Sequence, residues 1–278
     1  MNSNILRKVI VLCLIGSLFA QLVQAQVEEI RNRFLHSKAL MVAAHRAVHQ
    51  QYPENSLPAI QDAIDLGVDI VELDIRVTAD GIPVILHDQT VDRTSTGQGD
   101  IEQLGFSDVQ GFYLLDEGEV TDLKIPTLKE ALVVCKGKIM VDMDMKTGQI
   151  EAVLAVVKSV GVSDQLIFFD SDWEVLKEIK SQLPNAFLMP RTHKTKDIKK
   201  AVRQLDPEAV HIDPSFYTAK TVKRAEKYGL RVWINSLGDR DERIRSNPNA
   251  ESQKEWLVLG ANIVQTDCPA FWVVLRND

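Results

Sequence analysis

The chain has 278 residues, of which 45% are hydrophobic and 26% are charged. This composition is typical of a folded globular protein, and it excludes a long disordered chain. Only three cysteines are present, so a disulfide-stabilised framework and a multi-cysteine metal cluster are both excluded. The formal net charge of −7 argues against nucleic acid as the main partner, because surfaces that bind nucleic acid usually carry excess positive charge.

Residues 1–25 have the pattern of a secretory signal peptide. A short basic start precedes an apolar run over residues 9–20, and residues 23–25 resemble a small-residue cleavage site. An uncleaved N-terminal anchor is the alternative, although the apolar run is short for a membrane span. We therefore expect an exported protein, periplasmic or secreted, whose mature part is residues 26–278 and has no stable membrane span.

The rest of the sequence alternates between short apolar runs and helical patterns. The predicted strands are Leu40–Ala44, Asp69–Ile75, Ile139–Met145, Leu166–Phe169, Ala186–Met189, Ala209–Ile212, Arg231–Ile234 and Asn262–Gln265. The predicted helices are Leu57–Leu66, Leu128–Cys135, Ile150–Val160, Trp173–Leu183, Thr195–Gln204, Ala219–Tyr228 and Ser252–Leu259. Strands that alternate with helices form parallel sheets, and eight such units predict a single α/β domain, a closed (β/α)₈ (TIM) barrel. An open doubly wound sheet is the alternative.

One segment departs from this alternation, because a tight turn follows the second predicted strand. An Asp-Gly pair between two β-rich runs is a hairpin signal, and so short a turn cannot make a parallel crossover. Counting outward from the turn pairs Leu73 with His87. We therefore expect an antiparallel arm at the barrel mouth that brings His87 beside Glu72 and Asp74.

Residues 89–124 are polar, irregular and rich in glycine, and they are too long for an ordinary connection. We interpret this segment as a small insertion that caps the barrel mouth. Its apolar side chains form either a lipid-facing cluster or a small core: Leu104, Phe106, Phe112, Tyr113, Leu114 and Leu115.

Carboxylates recur at alternate positions on two predicted strands. Glu72 and Asp74 leave the same face of one strand, and Asp142 and Asp144 repeat the pattern on another. Pointing into the barrel, these groups would repel each other and lose solvation unless a cation is bound. All-oxygen ligands favour Mg²⁺ or Ca²⁺ over Zn²⁺. The alternative is a solvent-exposed polar face on an edge strand, with salt bridges.

Two histidines and two cations are expected at the same end of the barrel. His45 and Arg46 directly follow the first predicted strand, where the active site of a barrel lies. His87 arrives on the hairpin, and Lys146 follows the second carboxylate strand. Paired histidines near a metal suggest a general base and a general acid, and the cations would stabilise an oxyanion such as a phosphoryl group. A structural role is the alternative for each histidine.

The order of these motifs resembles the glycerophosphodiester phosphodiesterase family. The resemblance rests on AHRA-x5-PENS at 44–56, VELDI at 71–75, T-x-DG-x-PV-x-x-HD at 78–88, DRTSTG-x-G at 92–99, IPTL-x-E at 125–130, DMK at 144–146, VWIN at 232–235 and TD-x-P at 266–269. It extends over about residues 40 to 270, which is nearly the whole mature chain. The combination of motifs is specific, although no single one is.

The resemblance implies a barrel enzyme that hydrolyses a small-molecule glycerophosphodiester to an alcohol and glycerol 3-phosphate, with one divalent cation, Mg²⁺ or Ca²⁺, as cofactor. In this reaction the substrate's own glycerol hydroxyl attacks phosphorus, and water then opens the cyclic phosphate. The implied roles are acid–base catalysis by His45 and His87, metal binding by Glu72, Asp74 and Asp144, phosphate binding by Arg46 and Lys146, and support by Glu54. Trp233, at a strand end, is a further candidate for substrate binding, with a core aromatic as the alternative.

Two positions depart from the family pattern. Ala47 stands where the family usually has glycine, and Asp144 stands where it usually has glutamate. Neither change removes a reacting group, so an active enzyme is expected. Two alternatives stay open: a related barrel enzyme acting on lipids, lysophospholipase D-like or cyclising phospholipase D-like, and a phosphodiester-binding relative without turnover.

Overall fold

The computed structural model describes residues 25–277, so the predicted signal peptide lies outside it except for residue 25. The strands are β1 (Met41–Ala44), β2 (Ile70–Val77), β3 (Pro83–Ile85), β4 (Leu115–Asp116), β5 (Glu119–Val120), β6 (Met140–Met145), β7 (Leu166–Asp170), β8 (Phe187–Thr192), β9 (Ala209–Ile212), β10 (Arg231–Asn235) and β11 (Ile263–Thr266). Strands β1, β2 and β6 to β11 pair in parallel, and β1 pairs with both β2 and β11. The predicted closed barrel is therefore confirmed, and the open sheet is wrong.

Helices connect the strands and surround the barrel. They are α1 (25–36), α2 (Leu57–Asp65), α3 (Phe106–Val109), α4 (Leu128–Cys135), α5 (Ile150–Val160), α6 (Trp173–Gln182), α7 (Thr195–Leu205), α8 (Ala219–Glu226), α9 (Asp239–Ser246), α10 (Ala250–Leu257) and α11 (Pro269–Asn277). Every predicted helix is present, with ends within two residues of the prediction. Among the described residues, none of the helices combines the length and apolar character that a membrane span requires.

The barrel interior changes from apolar to polar along its axis. At the amino-terminal end of the strands the inward side chains form one buried apolar cluster: Met41, Ala43, Ile70, Met140, Ile167, Met189, Ala209, Trp233 and Ile263. Helix α1 closes this end, because its Val27, Ile30 and Phe34 pack in the same cluster. Inward residues nearer the carboxyl ends of the strands are polar, and among residues 25–277 they line a cavity that opens at that end.

Strand β3 is the antiparallel arm expected from the hairpin signal. Ile75 of β2 lies opposite Ile85 of β3, which is the same register as the predicted pairing of Leu73 with His87. The hairpin prediction is therefore confirmed. Its physical consequence is that His87 returns to the mouth of the barrel, beside the carboxyl end of β2.

The segment 89–124 contains α3 and the short β4–β5 hairpin, and it has a core of its own. Leu114 is buried in that core, and Leu104, Phe106 and Phe112 pack against it, whereas Tyr113 is exposed. Most of the side chains considered as a lipid-facing cluster are therefore used for packing within the insertion.

Candidate active site

A cavity of about 350 Å³ opens at the carboxyl ends of the barrel strands. Its polar lining residues are His45, Glu72, Asp142, Asp144, Lys146, Asp170, Ser171, Arg191, His211, Asp213, Asn235 and Gln265. One wall, formed by β2 and β6, carries carboxylates, and the opposite wall, formed by β9 to β11, carries mostly neutral groups. The sequence analysis anticipated the first wall and not the second.

Glu72, Asp74 and Asp144 form the acidic cluster. Each offers a carboxylate oxygen, and these atoms lie within 4.8 Å of one another. Burial, followed by repulsion from Asp74 and Asp144, raises the pKa of Glu72 well above its ordinary value. Oδ1 of Asp74 is buried without a hydrogen bond to any described residue. Three crowded, desolvated carboxylates with spare oxygens suit a divalent cation.

The loop after β1 holds this cluster through an unusual backbone conformation. Arg46 and Ala47 have positive φ angles of 50° and 68°. The turn aims the backbone N–H of Arg46 at Oε2 of Glu72, at 2.8 Å. Further along the loop, Asn55 donates from Nδ2 to Oδ2 of Asp74 at 2.9 Å. The methyl group of Ala47 is fully buried in the apolar shell outside the barrel, so it packs there and does not line the cavity.

Lys146 places its ammonium group against two carboxylates of the acidic cluster. Its Nζ lies 2.7 Å from Oδ2 of Asp144 and 3.5 Å from Oδ1 of Asp74. Burial alone would lower the pKa of Lys146, but the two carboxylates raise it above its ordinary value. The lysine is therefore charged at neutral pH and lines the cavity.

A chain of ion pairs joins the first loop to the insertion. Arg46 donates to Glu54 at 2.9 Å, and Arg93 of the insertion donates to both oxygens of Glu54 at 2.8 and 2.9 Å. Arg93 also donates to Asp88 at 2.6 Å, and Asp88 contacts Nδ1 of His87 at 2.6 Å. Glu54 therefore links Arg46 of the first loop to Arg93 of the insertion.

Each predicted acid–base histidine has a carboxylate at Nδ1. His45 contacts Oδ1 of Asp267 at 2.7 Å, just as His87 contacts Asp88. Burial raises the pKa of Asp267, but the hydrogen bond from His45 and the charge of His45 lower it. The lowering effects are the larger, so the pKa lies below its ordinary value. A carboxylate that accepts Nδ1–H leaves Nε2 as the exchangeable position. Asp267 and Asp88 were not selected from the sequence, although both lie inside the motifs TD-x-P and HD.

Trp233 lies in a different place from the one its candidate role requires. The ring is fully buried in the apolar cluster below the cavity. Its indole N–H points up to Oδ1 of Asn235 at 3.2 Å and to Oε1 of Gln265 at 3.1 Å. His211 contacts the same oxygen of Asn235 through Nε2 at 3.1 Å. His211 and Asn235, which were not selected from the sequence, line the cavity themselves.

Comparison with known proteins identifies the family. Residues 45–269 match the Glycerophosphoryl diester phosphodiesterase family, and the chain belongs to it. A glycerophosphodiester phosphodiesterase of Caldanaerobacter subterraneus is 29% identical over 52% of this chain and 63% of its own length. Glycerophosphodiester phosphodiesterase 1 of Mus musculus is 39% identical over 42% of this chain and 37% of its own length. The matched region thus spans less than two thirds of either relative.

Solved structures share the fold. A phosphodiesterase of Oleispira antarctica, solved with the product sn-glycerol-3-phosphate, superposes with a TM-score of 0.76 at 24% identity, over 86% of this chain and 98% of that chain. A glycerophosphoryl diester phosphodiesterase of Parabacteroides distasonis gives a TM-score of 0.77 at 21% identity, over 91% of this chain and 92% of that chain.

Proposed function

We propose that this protein is a metal-dependent phosphodiesterase that hydrolyses glycerophosphodiesters to an alcohol and glycerol 3-phosphate. The observation that carries the proposal is the placement of three crowded carboxylates and two carboxylate-paired histidines at one barrel mouth. The names of the relatives and the product bound to the Oleispira antarctica protein support the choice of substrate.

The donor set fits one divalent cation, Mg²⁺ or Ca²⁺, held by Glu72, Asp74 and Asp144. When bound, the cation supplies Lewis acidity to the phosphoryl group and lowers the pKa of a substrate hydroxyl. Lys146 and Arg46 supply fixed positive charge beside the same carboxylates, which stabilises the extra negative charge of the reacting phosphate.

His45 and His87 act as the acid–base pair. One imidazole accepts the proton of the attacking glycerol hydroxyl, and the other donates a proton to the departing alcohol oxygen. Asp267 and Asp88 act through the histidines, because each accepts Nδ1–H and holds the ring so that Nε2 exchanges the proton. Water then opens the cyclic phosphate with the same two groups in exchanged roles.

The test is the release of glycerol 3-phosphate from glycerophosphocholine by purified residues 26–278. Product should form with Mg²⁺ or Ca²⁺ and stop with EDTA. His45→Ala and His87→Ala should each lower the rate by about 10²–10⁴-fold, whereas His36→Ala, an exposed position on α1, should keep it. Turnover that resists EDTA, or a fully active His45→Ala variant, would contradict the mechanism. Absence of product with every metal would favour the binding-protein or lipid alternatives.

We also propose that the protein is exported and that residues 1–25 are removed. The support is the signal-peptide pattern of residues 1–25, together with the packing of Val27, Ile30 and Phe34 in the barrel floor, since these three residues all follow the predicted cleavage position. Expression of the full chain in a bacterium, followed by mass measurement of the periplasmic or secreted product, tests this. An unprocessed chain in the membrane fraction would contradict it.

A further inference from the structure

Arg93 extends from the insertion toward the β3 arm, and it does not line the active-site cavity. All three nitrogens of its guanidinium group donate hydrogen bonds. Nε and Nη2 donate to the two oxygens of Asp88 at 2.6 and 3.2 Å. Nη1 and Nη2 donate to the two oxygens of Glu54 at 2.9 and 2.8 Å. The mechanism proposed above gives this arginine no role.

The ring of His87 is held by a single hydrogen bond. Among residues 25–277, the imidazole contacts only Asp88, from Nδ1 to Oδ1 at 2.6 Å. The backbone of His87 is fixed separately, because its carbonyl oxygen accepts from Nε of Arg76 at 3.0 Å. The side chain is 34% exposed, so packing restricts its rotation only in part. The position of Nε2 therefore depends on where the Asp88 carboxylate lies.

The Asp88 carboxylate depends in turn on Arg93. Within the described part of the chain, its hydrogen bonds are with His87 and Arg93. The hydrogen bond from Arg93 holds the pKa of Asp88 well below its usual range, so the carboxylate is ionised at neutral pH and accepts Nδ1–H. Without Arg93, the carboxylates of Asp88 and Glu54 would lose the cation between them and repel each other.

The geometry of these contacts favours orientation over stability. Arg93 is 48% exposed, and an exposed ion pair usually contributes little to folding. The planar guanidinium group, however, fixes the direction of two carboxylates at once, which an ammonium group does not. We propose that Arg93 is a positioning residue that orients the ring of His87 through Asp88, with Glu54 as its anchor in the first loop. The proposal rests on the phosphodiesterase function proposed above and gives the insertion a part in catalysis.

Turnover of glycerophosphocholine tests the proposal first. Arg93→Ala should lower kcat by about 10–100-fold and change KM by less than about threefold, because a displaced ring slows proton transfer more than it weakens substrate binding. Arg93→Lys keeps the charge but not the planar group, so its kcat should stay at least about fivefold below that of the unmodified protein. Arg203→Ala, an exposed position on α7, is the matched control and should keep kcat. Full activity of either Arg93 variant would overturn the proposal.

A double-mutant cycle shows whether Arg93 acts through the histidine. In His87→Ala the ring is absent, so the further change Arg93→Ala should lower kcat by less than about threefold. A general loss of folding would lower the rate in both backgrounds by the same factor. A loss in the His87→Ala background as large as in the unmodified protein would therefore overturn the proposal.

Nuclear magnetic resonance tests the orientation of the ring without turnover. In protein with ¹⁵N-labelled histidine at about pH 9, where imidazoles are neutral, His87 should show the Nδ1–H tautomer. The signals that disappear in His87→Gln identify this ring. Arg93→Ala should shift them toward the Nε2–H tautomer, whereas Arg203→Ala should leave them in place. Unchanged His87 signals in Arg93→Ala would overturn the proposal. If no glycerophosphodiester is cleaved, the proposed function fails, while these signals still decide whether Arg93 orients the ring.

Discussion

Replacement of Asp267 tests the orientation of the His45 ring without removing the histidine that transfers the proton. Its carboxylate holds Nδ1 of His45 at 2.7 Å. Asp267→Asn keeps the size but places a neutral amide there, which removes the charge and favours the wrong tautomer. We expect kcat to fall by about 10²-fold or more while KM changes little. Initial rates on glycerophosphocholine measure this, with the exposed Asp108→Asn as the matched control; an unchanged kcat would remove Asp267 from the mechanism.

His211 predicts a dependence of stability on pH. Burial lowers its pKa from 6.5 to about 4, so the unfolded chain binds more protons than the folded chain between these values. Its contribution to the free energy of unfolding is thus fully present above pH 6.5 and is lost as pH falls toward 4. Between pH 7.5 and pH 5 the loss is roughly 2 kcal/mol.

Urea unfolding at these two pH values measures the effect in the unmodified protein and in His211→Gln. The variant lacks the titrating ring, so its stability should decline less on acidification. Parallel declines of the two proteins would show that His211 is not the buried neutral histidine described here.

The two cavity walls differ in how well the sequence predicts them. Glu72 and Asp74 alternate with apolar residues on one strand, so their shared face is visible in the sequence. His211 and Asn235 are single polar residues at the ends of separate apolar strands. Only closure of the barrel brings them together opposite the carboxylates, and no local pattern encodes that.

At the scale of elements, apolar periodicity accounts for which helices were predicted. Helix α4 begins at Leu128 as expected, because Thr127 and Glu130 form the capping box that the sequence shows. Helix α9 was missed because its sequence, DRDERIRS, is almost entirely charged and provides Ile244 as its only buried apolar residue among those described. Its position depends on tertiary contacts, such as the buried carboxylate of Asp241 accepting from Ser236 and Thr266.

Helix α1 also escaped prediction, and its contribution to stability is testable. Phe34 is 1% exposed in the barrel floor, whereas its neighbour Leu35 is 39% exposed. Phe34→Ala should lower the free energy of unfolding by about 3–5 kcal/mol, because it leaves a cavity under the strands. Leu35→Ala is the matched control and should cost less than about 1 kcal/mol. Denaturant unfolding compares the two, and equal effects would mean that α1 does not seal the barrel.

For the molecule as a whole, the crowded carboxylates should lower the stability of the metal-free protein, because they repel one another, while the same groups allow a cation to bind. Glu72→Gln keeps an acceptor for the N–H of Arg46 but removes one of the repelling charges. In EDTA this variant should therefore be more stable than the unmodified protein. Added Ca²⁺ or Mg²⁺ at about 100 times its dissociation constant should stabilise the unmodified protein by about 2.7 kcal/mol.

Calorimetry with and without the cation measures both effects. The expected rise in Tm of the unmodified protein is about 5–10 °C, and Glu72→Gln should show little or none. Asp108→Asn should respond as the unmodified protein does. An equal response in Glu72→Gln would place the cation elsewhere.

The floor of the barrel also constrains the order in which the chain can fold. Helix α1 is the first described element to be synthesised, yet it packs against strands drawn from the whole length of the chain. The ring itself closes only when Met41 of β1 pairs with Ile263 of β11, near the opposite end. A nascent chain therefore carries its earliest helix without a docking surface until translation is almost complete. A chain with this topology cannot complete its barrel, and so stays incompletely folded, until β11 near its carboxyl terminus has been synthesised.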